Sequence, residues 1–336
     1  MRRSRCSAGL LALALGVAAI GTASTRPLRA QSLSQPQGAE FLLLPVGARA
    51  TALGQAAAAE GGTTEAVFWN PAGLASVTRG EFAVHHYTAF FGNGDAVAVA
   101  VRSQPLGTVA LAAYVVDYGD LDLTPREGGT GDVIGRITPR NVALSLSYAT
   151  DVTAGLSFGV SYKLVQLRVD CSGDCTGVPS AAGTTHAVDL GVRYALAGAP
   201  VVIGVSLRNM GFPLQVENSA QADPLPTRLT IGVACRIVRA APGQADQSVE
   251  VRALADLQSV IGRGDFGAVT LFGLESSVGD LIRIRGGYAF LESSSRGPSI
   301  GLGMRLGKMA VDIARVFAND EIGDREPYHF SVRAAF

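Results

Sequence analysis

From residue 81 to the end of the chain, apolar positions alternate with polar or small ones in stretches of roughly nine to twelve residues. That period-2 pattern belongs to strands whose two faces meet different surroundings. Fourteen stretches are read, at about residues 81–91, 95–103, 107–118, 140–150, 153–169, 184–197, 201–209, 227–239, 248–258, 267–278, 281–290, 297–306, 308–317 and 328–336. In the fourth, Val142, Leu144, Leu146 and Tyr148 share one face, and Asn141, Ala143, Ser145 and Ser147 the other. In the fifth, Leu156, Phe158, Val160, Tyr162 and Leu164 oppose Ser157, Gly159, Ser161 and Lys163. The eleventh sets Ile282, Ile284, Tyr288 and Phe290 against Arg283, Arg285 and Gly287.

In water the apolar faces would fill a core between two sheets. In lipid they would point outward and the polar faces would line a lumen. Connection lengths separate the two. After odd-numbered stretches the chain runs through 119–139, 170–183, 210–226, 259–266, 291–296 and 318–327. After even-numbered ones it turns at 104–106, 151–152, 198–200, 279–280 and Gly307, with 92–94 and 240–247 breaking the rule. Long connections at one end and tight turns at the other are the layout of outer-membrane barrels. The predicted fold is therefore all-β: a 14-stranded antiparallel transmembrane β-barrel. The last stretch repeats Tyr328, Phe330, Val332, Ala334 and Phe336 at period 2. Phe336 is placed to close the sheet, because lipid tolerates no free strand edge, and to anchor it at the interface.

The N-terminal part reads differently. Arg2, Arg3 and Arg5, an apolar run over 8–20 and then Gly21, Thr22 and Ala23 have the layout of a secretory signal peptide, cleaved after Ala23 or Ala30. Residues 41–78 are rich in Ala and Gly without alternation. A short helix is expected within 50–60, and a second turn capped by Thr63 or Thr64 and broken at Pro71. The organisation expected is 1–30 signal peptide, 31–80 a hatch inside the lumen, and 81–336 the barrel. Phe41, Leu43, Trp69 and Leu74 are its apolar anchors. Asn70 can bond its own backbone, and Trp69 can wedge against the wall with its N–H satisfied.

Lys+Arg and Asp+Glu are 28 each, so no basic excess serves nucleic acid. Beyond residue 30 no apolar run reaches the ~18 residues of a membrane helix. The inward faces hold Arg193, Arg236, Arg252, Arg283, Arg285 and Arg305, with Asp189 and Glu275. They read as a ladder of ion pairs filling a closed barrel, or as an anion-favouring pore or a site for an acidic group. Glu60 and Glu65 offer counter-charge from the hatch. Cys171 and Cys175, in a polar Gly-containing stretch of an exported chain, read as a local disulfide. The four His residues have no metal spacing, no phosphate loop is present, and no catalytic, metal or cofactor site is expected.

Residues 44–54, Leu-Pro-Val-Gly-Ala-Arg-Ala-Thr-Ala-Leu-Gly, and 66–75, Ala-Val-Phe-Trp-Asn-Pro-Ala-Gly-Leu-Ala, resemble the N-terminal signature of the PorV/PorQ family, within the FadL-type barrels. Gln55 stands where that family usually has a second Gly, and Thr63 and Thr64 where acids are common. The matching positions are Gly47, Arg49, Gly54, Trp69, Asn70, Pro71, Ala72 and Gly73. The resemblance implies fourteen strands, a lumenal hatch and residence in the bacterial outer membrane. It also implies a role in type IX secretion, with exported cargo C-terminal domains and secretion machinery as partners besides outer-membrane lipid. The alternative is a FadL-like channel for uptake of hydrophobic small molecules. The charged lumen faces argue against a wide apolar route, although Leu254, Val269 and Leu271 are inward apolar candidates.

Overall fold

The computed structural model describes residues 37–89, 92–124, 131–176, 180–217, 220–240, 248–261, 268–279, 281–290, 297–317 and 327–336. The expected signal peptide lies outside them. Among the described residues seventeen strands follow one another: β1 (Gly80–Ala89), β2 (Gly92–Ser103), β3 (Gly107–Asp117), β4 (Leu121–Leu123), β5 (Gly135–Thr153), β6 (Leu156–Gly173), β7 (Ala181–Ala195), β8 (Val201–Gly211), β9 (Leu214–Gln215), β10 (Ala222–Asp223), β11 (Arg228–Ala240), β12 (Val249–Val260), β13 (Ala268–Val278), β14 (Ile282–Ala289), β15 (Gly297–Leu306), β16 (Met309–Val316) and β17 (Tyr328–Ala335). Fourteen of them, all except β4, β9 and β10, pair antiparallel with their neighbours. β17 returns to β1, with Glu81 opposite Ala335 and Thr88 opposite Tyr328, so the sheet closes. Phe336 donates its N–H to the Gly80 carbonyl at 3.0 Å, completing that seam.

Side-chain parity decides between sandwich and membrane barrel. On β5, Leu144, Leu146 and Tyr148 are exposed while Ala143, Ser145 and Ser147 are buried. Leu111, Leu146 and Ile284 face outward at 56%, 52% and 60% exposure. Apolar side chains on the outside and hydroxyls within are the arrangement that lipid, not water, stabilises.

The lumen is occupied by residues 37–79: a 3-10 turn at Glu40–Leu43, helix α1 (Ala48–Ala52), helix α2 (Ala66–Trp69) and a second 3-10 turn at Pro71–Ser76. Both helices are too short to form alone, and packing against the wall holds them. The first helix lies at 48–52, earlier than expected. Thr64 does not cap α2: the N-cap position falls on Glu65, which makes no side-chain cap bond, and Thr64 donates its N–H and hydroxyl to Glu81 of the wall at 2.7 and 2.9 Å. Of the anchors, Phe41, Trp69 and Leu74 are buried. Leu43 is only half-buried, and Leu42 and Leu44 pack on the core in its place.

β5 and β6 run farther than expected, beyond the barrel at the long-connection end, where the edge strand β4 joins them. Alternation could not show this extension, since its two faces are not divided between lipid and lumen. Cys171 and Cys175 are disulfide-linked beside this extension.

Candidate functional site: the seated hatch

The hatch touches the wall first through backbone. Asn70, fully buried, is extended (φ −151°) ahead of Pro71, as the residue before proline must be. Its side-chain oxygen accepts from Ala72 N at 3.1 Å. Its amide donates to Ala58 O at 2.6 Å and to the wall carbonyls Val192 O and Val205 O at 3.2 and 3.4 Å. This fit requires Gly191 opposite, because a Cβ there would sit 2.1 Å from the Asn70 oxygen. Gly54 turns with φ +61° against Gly287, whose Cβ would lie 2.0 Å from Gly54 N. Gly159 and Gly191 are register partners, as are Gly204 and Gly232, and Gly273 and Gly287. These inward glycines form a smooth belt on which the hatch main chain rests. Sequence reading did not single out the belt, although inward glycine at one level on successive strands was its signal. Gly47, Ala72 and Gly73 are buried with the rest of the signature.

Trp69 donates Nε1–H to Val46 O at 2.9 Å, and the Arg208 guanidinium stands 5.0 Å over its ring. Arg208 also donates to Phe68 O at 2.9 Å. Burial of Leu53, Val67 and Leu74 adds roughly 1.5–3 kcal/mol each.

Charge forms the second contact. Glu60 of the hatch is paired with Arg49, also of the hatch, and with Arg252 of β12. Arg252 reaches Glu275 at 3.3 Å, and Arg49 reaches it at 3.5 Å. Arg285 bridges Glu275 and Asp312, each at 2.6 Å, and Arg333 holds Asp312 at 2.8 Å and Glu81 at 3.8 Å. Arg285 crosses the whole width of β15 to meet Asp312, which only Gly303 allows: a Cβ there would lie 2.3 Å from the Asp312 oxygen. The chain of pairs thus runs around the wall from β12 to β1 and ends on hatch residue Thr64. Burial alone would lower Arg49, but Glu60, Glu275 and Glu65 outweigh it and hold its pKa above the ordinary value. Burial would likewise raise Glu60, but Arg252 and Arg49 keep it below the usual carboxylate range.

The other inward charges do not join this chain. Asp189 sits at a bulge between β7 and β8, paired with Lys163 at 2.6 Å and accepting from Asn209 N at 2.8 Å. Arg193 donates to Ala59 O and to Ser76 Oγ, both at 3.0 Å. Arg236 and Arg305 are half-exposed at the short-turn mouth, and Arg283 lies inward beside them.

Glu65 is the exception among the hatch acids. Its Oε1 is buried without a hydrogen-bond partner, 4.0 Å from His85 Nδ1. Burial pushes its carboxyl up to about 7 against the opposing pull of Arg333 and Arg49. A raised acid pKa means that the seated hatch is favoured while the proton is held, below about pH 4.5. That contribution falls away as pH rises from 4.5 through 7. Between pH 5 and 8 the protein is expected to lose of the order of 2–3 kcal/mol of stability that a Glu65→Gln variant retains. Denaturant titrations of both proteins across that range check it, and parallel slopes would refute it.

On the long-connection side, the hatch presents an apolar face. Phe41 and Val46 pack with Tyr87, Tyr114, Val116 and Val165 of the wall. Leu214 and Leu225, from the connection between β8 and β11, roof them. Gly38 N–H donates to Pro224 O at 3.0 Å, which fastens the start of the hatch to this roof. A void of about 20 Å³ lies there, lined by Leu42, Leu44, Phe68, Trp69, Tyr114 and Arg208 among others. It holds about one water, so the chamber is closed in this state.

No curated protein matches the chain. Among solved structures, the Ralstonia pickettii toluene transporter TbuX is similar at TM-score 0.50 and 16% identity, over 86% of this chain and 96% of that one. The P. putida toluene transporter TodX is similar at 0.52 and 13%, over 86% and 96%. The CymD monoaromatic hydrocarbon channel is similar at 0.54 and 14%, over 88% and 98%. At these identities the likeness shows the fold alone, a closed antiparallel β-barrel. The sequence model of the uncharacterised protein family UPF0164 matches residues 16–263, and the chain belongs to that family.

Proposed function

We propose that this UPF0164 barrel resides in the outer membrane of a bacterium and is a hatch-gated channel for small apolar molecules. The observation that carries the reading is the chamber above the hatch. Phe41, Leu42, Leu44, Val46, Phe68 and Tyr114 gather on one side of the plug, while the ion-pair chain lies on the other. Arg208 and Lys163 also line this chamber, but Arg208 donates to Phe68 O and stands over the Trp69 ring, and Lys163 is paired with Asp189. Once this closed chamber opens, an apolar solute can cover the side chains that now cover one another, at about 25 cal/mol per Å² of surface removed from water. The fold is shared with proteins described as toluene transporters and monoaromatic hydrocarbon channels, so a monoaromatic is the natural first probe.

The resemblance to PorV/PorQ supports the architecture more than a secretion role. Its signature residues Gly47, Arg49, Gly54, Trp69, Asn70, Pro71, Ala72 and Gly73 are all buried. They bind hatch to wall and offer no surface to cargo. What they specify is how a plug is seated.

Trp69, the single tryptophan, lines the chamber and reports on it. Toluene added to the purified barrel is expected to change Trp69 emission saturably. Cells producing the protein are expected to take up labelled toluene several-fold faster than cells carrying an empty vector. Unchanged emission up to the solubility limit, with uptake equal to the control, would reject the channel.

A further inference from the structure

The two ends of the barrel differ in charge. At the long-connection end, Asp95, Asp120, Asp122 and Asp174 are exposed. The bases Arg136, Arg140 and Arg168 are each paired there with an aspartate. At the short-turn end, Arg102, Arg193, Arg236, Arg283 and Arg305 point inward from β2, β7, β11, β14 and β15, and Lys308 stands exposed in the turn between β15 and β16. Among the described residues the acids beside them are few; Asp246 and Asp280, of the connections after β11 and β13, lie outside those residues. Asp151 is paired with Arg102 at 3.0 Å, and Glu250 with Arg236 at 3.6 Å. Arg305 and Lys308 have no acidic partner among the described residues. A cavity of about 270 Å³ opens at the same mouth, lined by Ala75, Arg102, Ser103, Gln104, Thr150 and Asp151 among others.

We infer that this mouth is a docking surface for an acidic segment of a periplasmic protein that approaches along the barrel axis. Direction separates a protein from the membrane as partner. Outward neighbours at this level are apolar: Phe82, Val101, Tyr194, Ile282, Leu306 and Met309 are exposed. A lipid leaflet touches that outer surface, whereas the arginines face the opening inside it. Spread separates a chain segment from a small anion. The cations come from strands on opposite sides of the mouth, so a small ion meets one or two of them and a segment with several carboxylates meets many. An opening at which one sign predominates also steers such a segment from a distance. The hatch ends beside it, Ser76 accepting from Arg193, so an occupant would press on the element that closes the lumen.

The test uses the full-length protein in a zwitterionic detergent and a fluorescein-labelled peptide of about twelve residues rich in Glu. Saturable binding is expected in anisotropy at low salt, weakening as salt rises. Arg305→Glu with Lys308→Glu should weaken it at least about tenfold. Asp120→Asn with Asp122→Asn, at the other end, should leave it unchanged. Heat-modifiable migration confirms that each variant is folded, and Arg305→Gln alone, expected to have a smaller effect in the same direction, serves if the double variant is not. Absence of peptide binding overturns the proposal, as does binding indifferent to the charge reversal. Full competition by low-millimolar inorganic phosphate would make this an ion site and overturn it too. So would reversal that abolishes binding to phosphatidylglycerol vesicles while sparing the peptide, which would assign the charge to lipid.

Discussion

Deletion of residues 41–76 is expected to leave the barrel inserted and to raise its single-channel conductance in planar bilayers at least about tenfold, because only what fills a barrel of this width keeps water out of it. The segment removed fills the lumen, and voids around it are about one water in size at the chamber. The wall it leaves behind is mostly glycine, alanine and serine at hatch level, with Gly159, Gly191, Gly204 and Gly287 flush against its backbone. Such a surface wets readily and does not collapse inward. Closure does not depend on the segment, since β1 pairs with β17 from Glu81 onward and Phe336 completes the seam at Gly80. Deletion strips Arg252 of Glu60, but Glu275 remains within 3.3 Å of it. A deletion protein that inserts normally and conducts no more than the full chain would show that the segment does not plug the barrel.

Asp312→Ala should destabilise the barrel by roughly 3–5 kcal/mol, the cost of removing one partner from a buried ion pair. Asp312 is 1% exposed and lies between Arg285 and Arg333, themselves 2% and 3% exposed. With Asp312 gone, Arg285 keeps Glu275, but Arg333 retains only Glu81 at 3.8 Å. The uncompensated charge then faces a lumen that the hatch has dried. Asp312→Asn, which can still accept from a guanidinium, is expected to lose less. Guanidinium unfolding of the detergent-solubilised variants measures both, and a loss below about 1 kcal/mol for Asp312→Ala would mean that water reaches this network.

The sequence by itself determined the strands, because the membrane imposes one rule on every outward residue. Lipid demands apolar side chains outside, and the pleat alternates faces at period 2, so Leu144, Leu146 and Ile284 disclosed their strands one at a time without reference to any partner. The same reasoning placed the non-alternating segment before β1 inside, and its Trp69 and Asn70 do bond as their side chains allow. The strand extension over Gly135–Pro139 escaped it, since no lipid contact imposes the alternation there. Which inward charges meet was decided only by the closed barrel. Arg285 finds Asp312 across a strand because Gly303 is empty, and Arg193 finds the hatch carbonyl of Ala59 rather than an acid. Arg236 and Arg305 share their inward parity yet stay at the mouth, beyond the reach of the hatch. Periodicity gives a residue its face. Height along the barrel, the register with each neighbour and the path of the plug fix its partner, and these are properties of the assembled sheet.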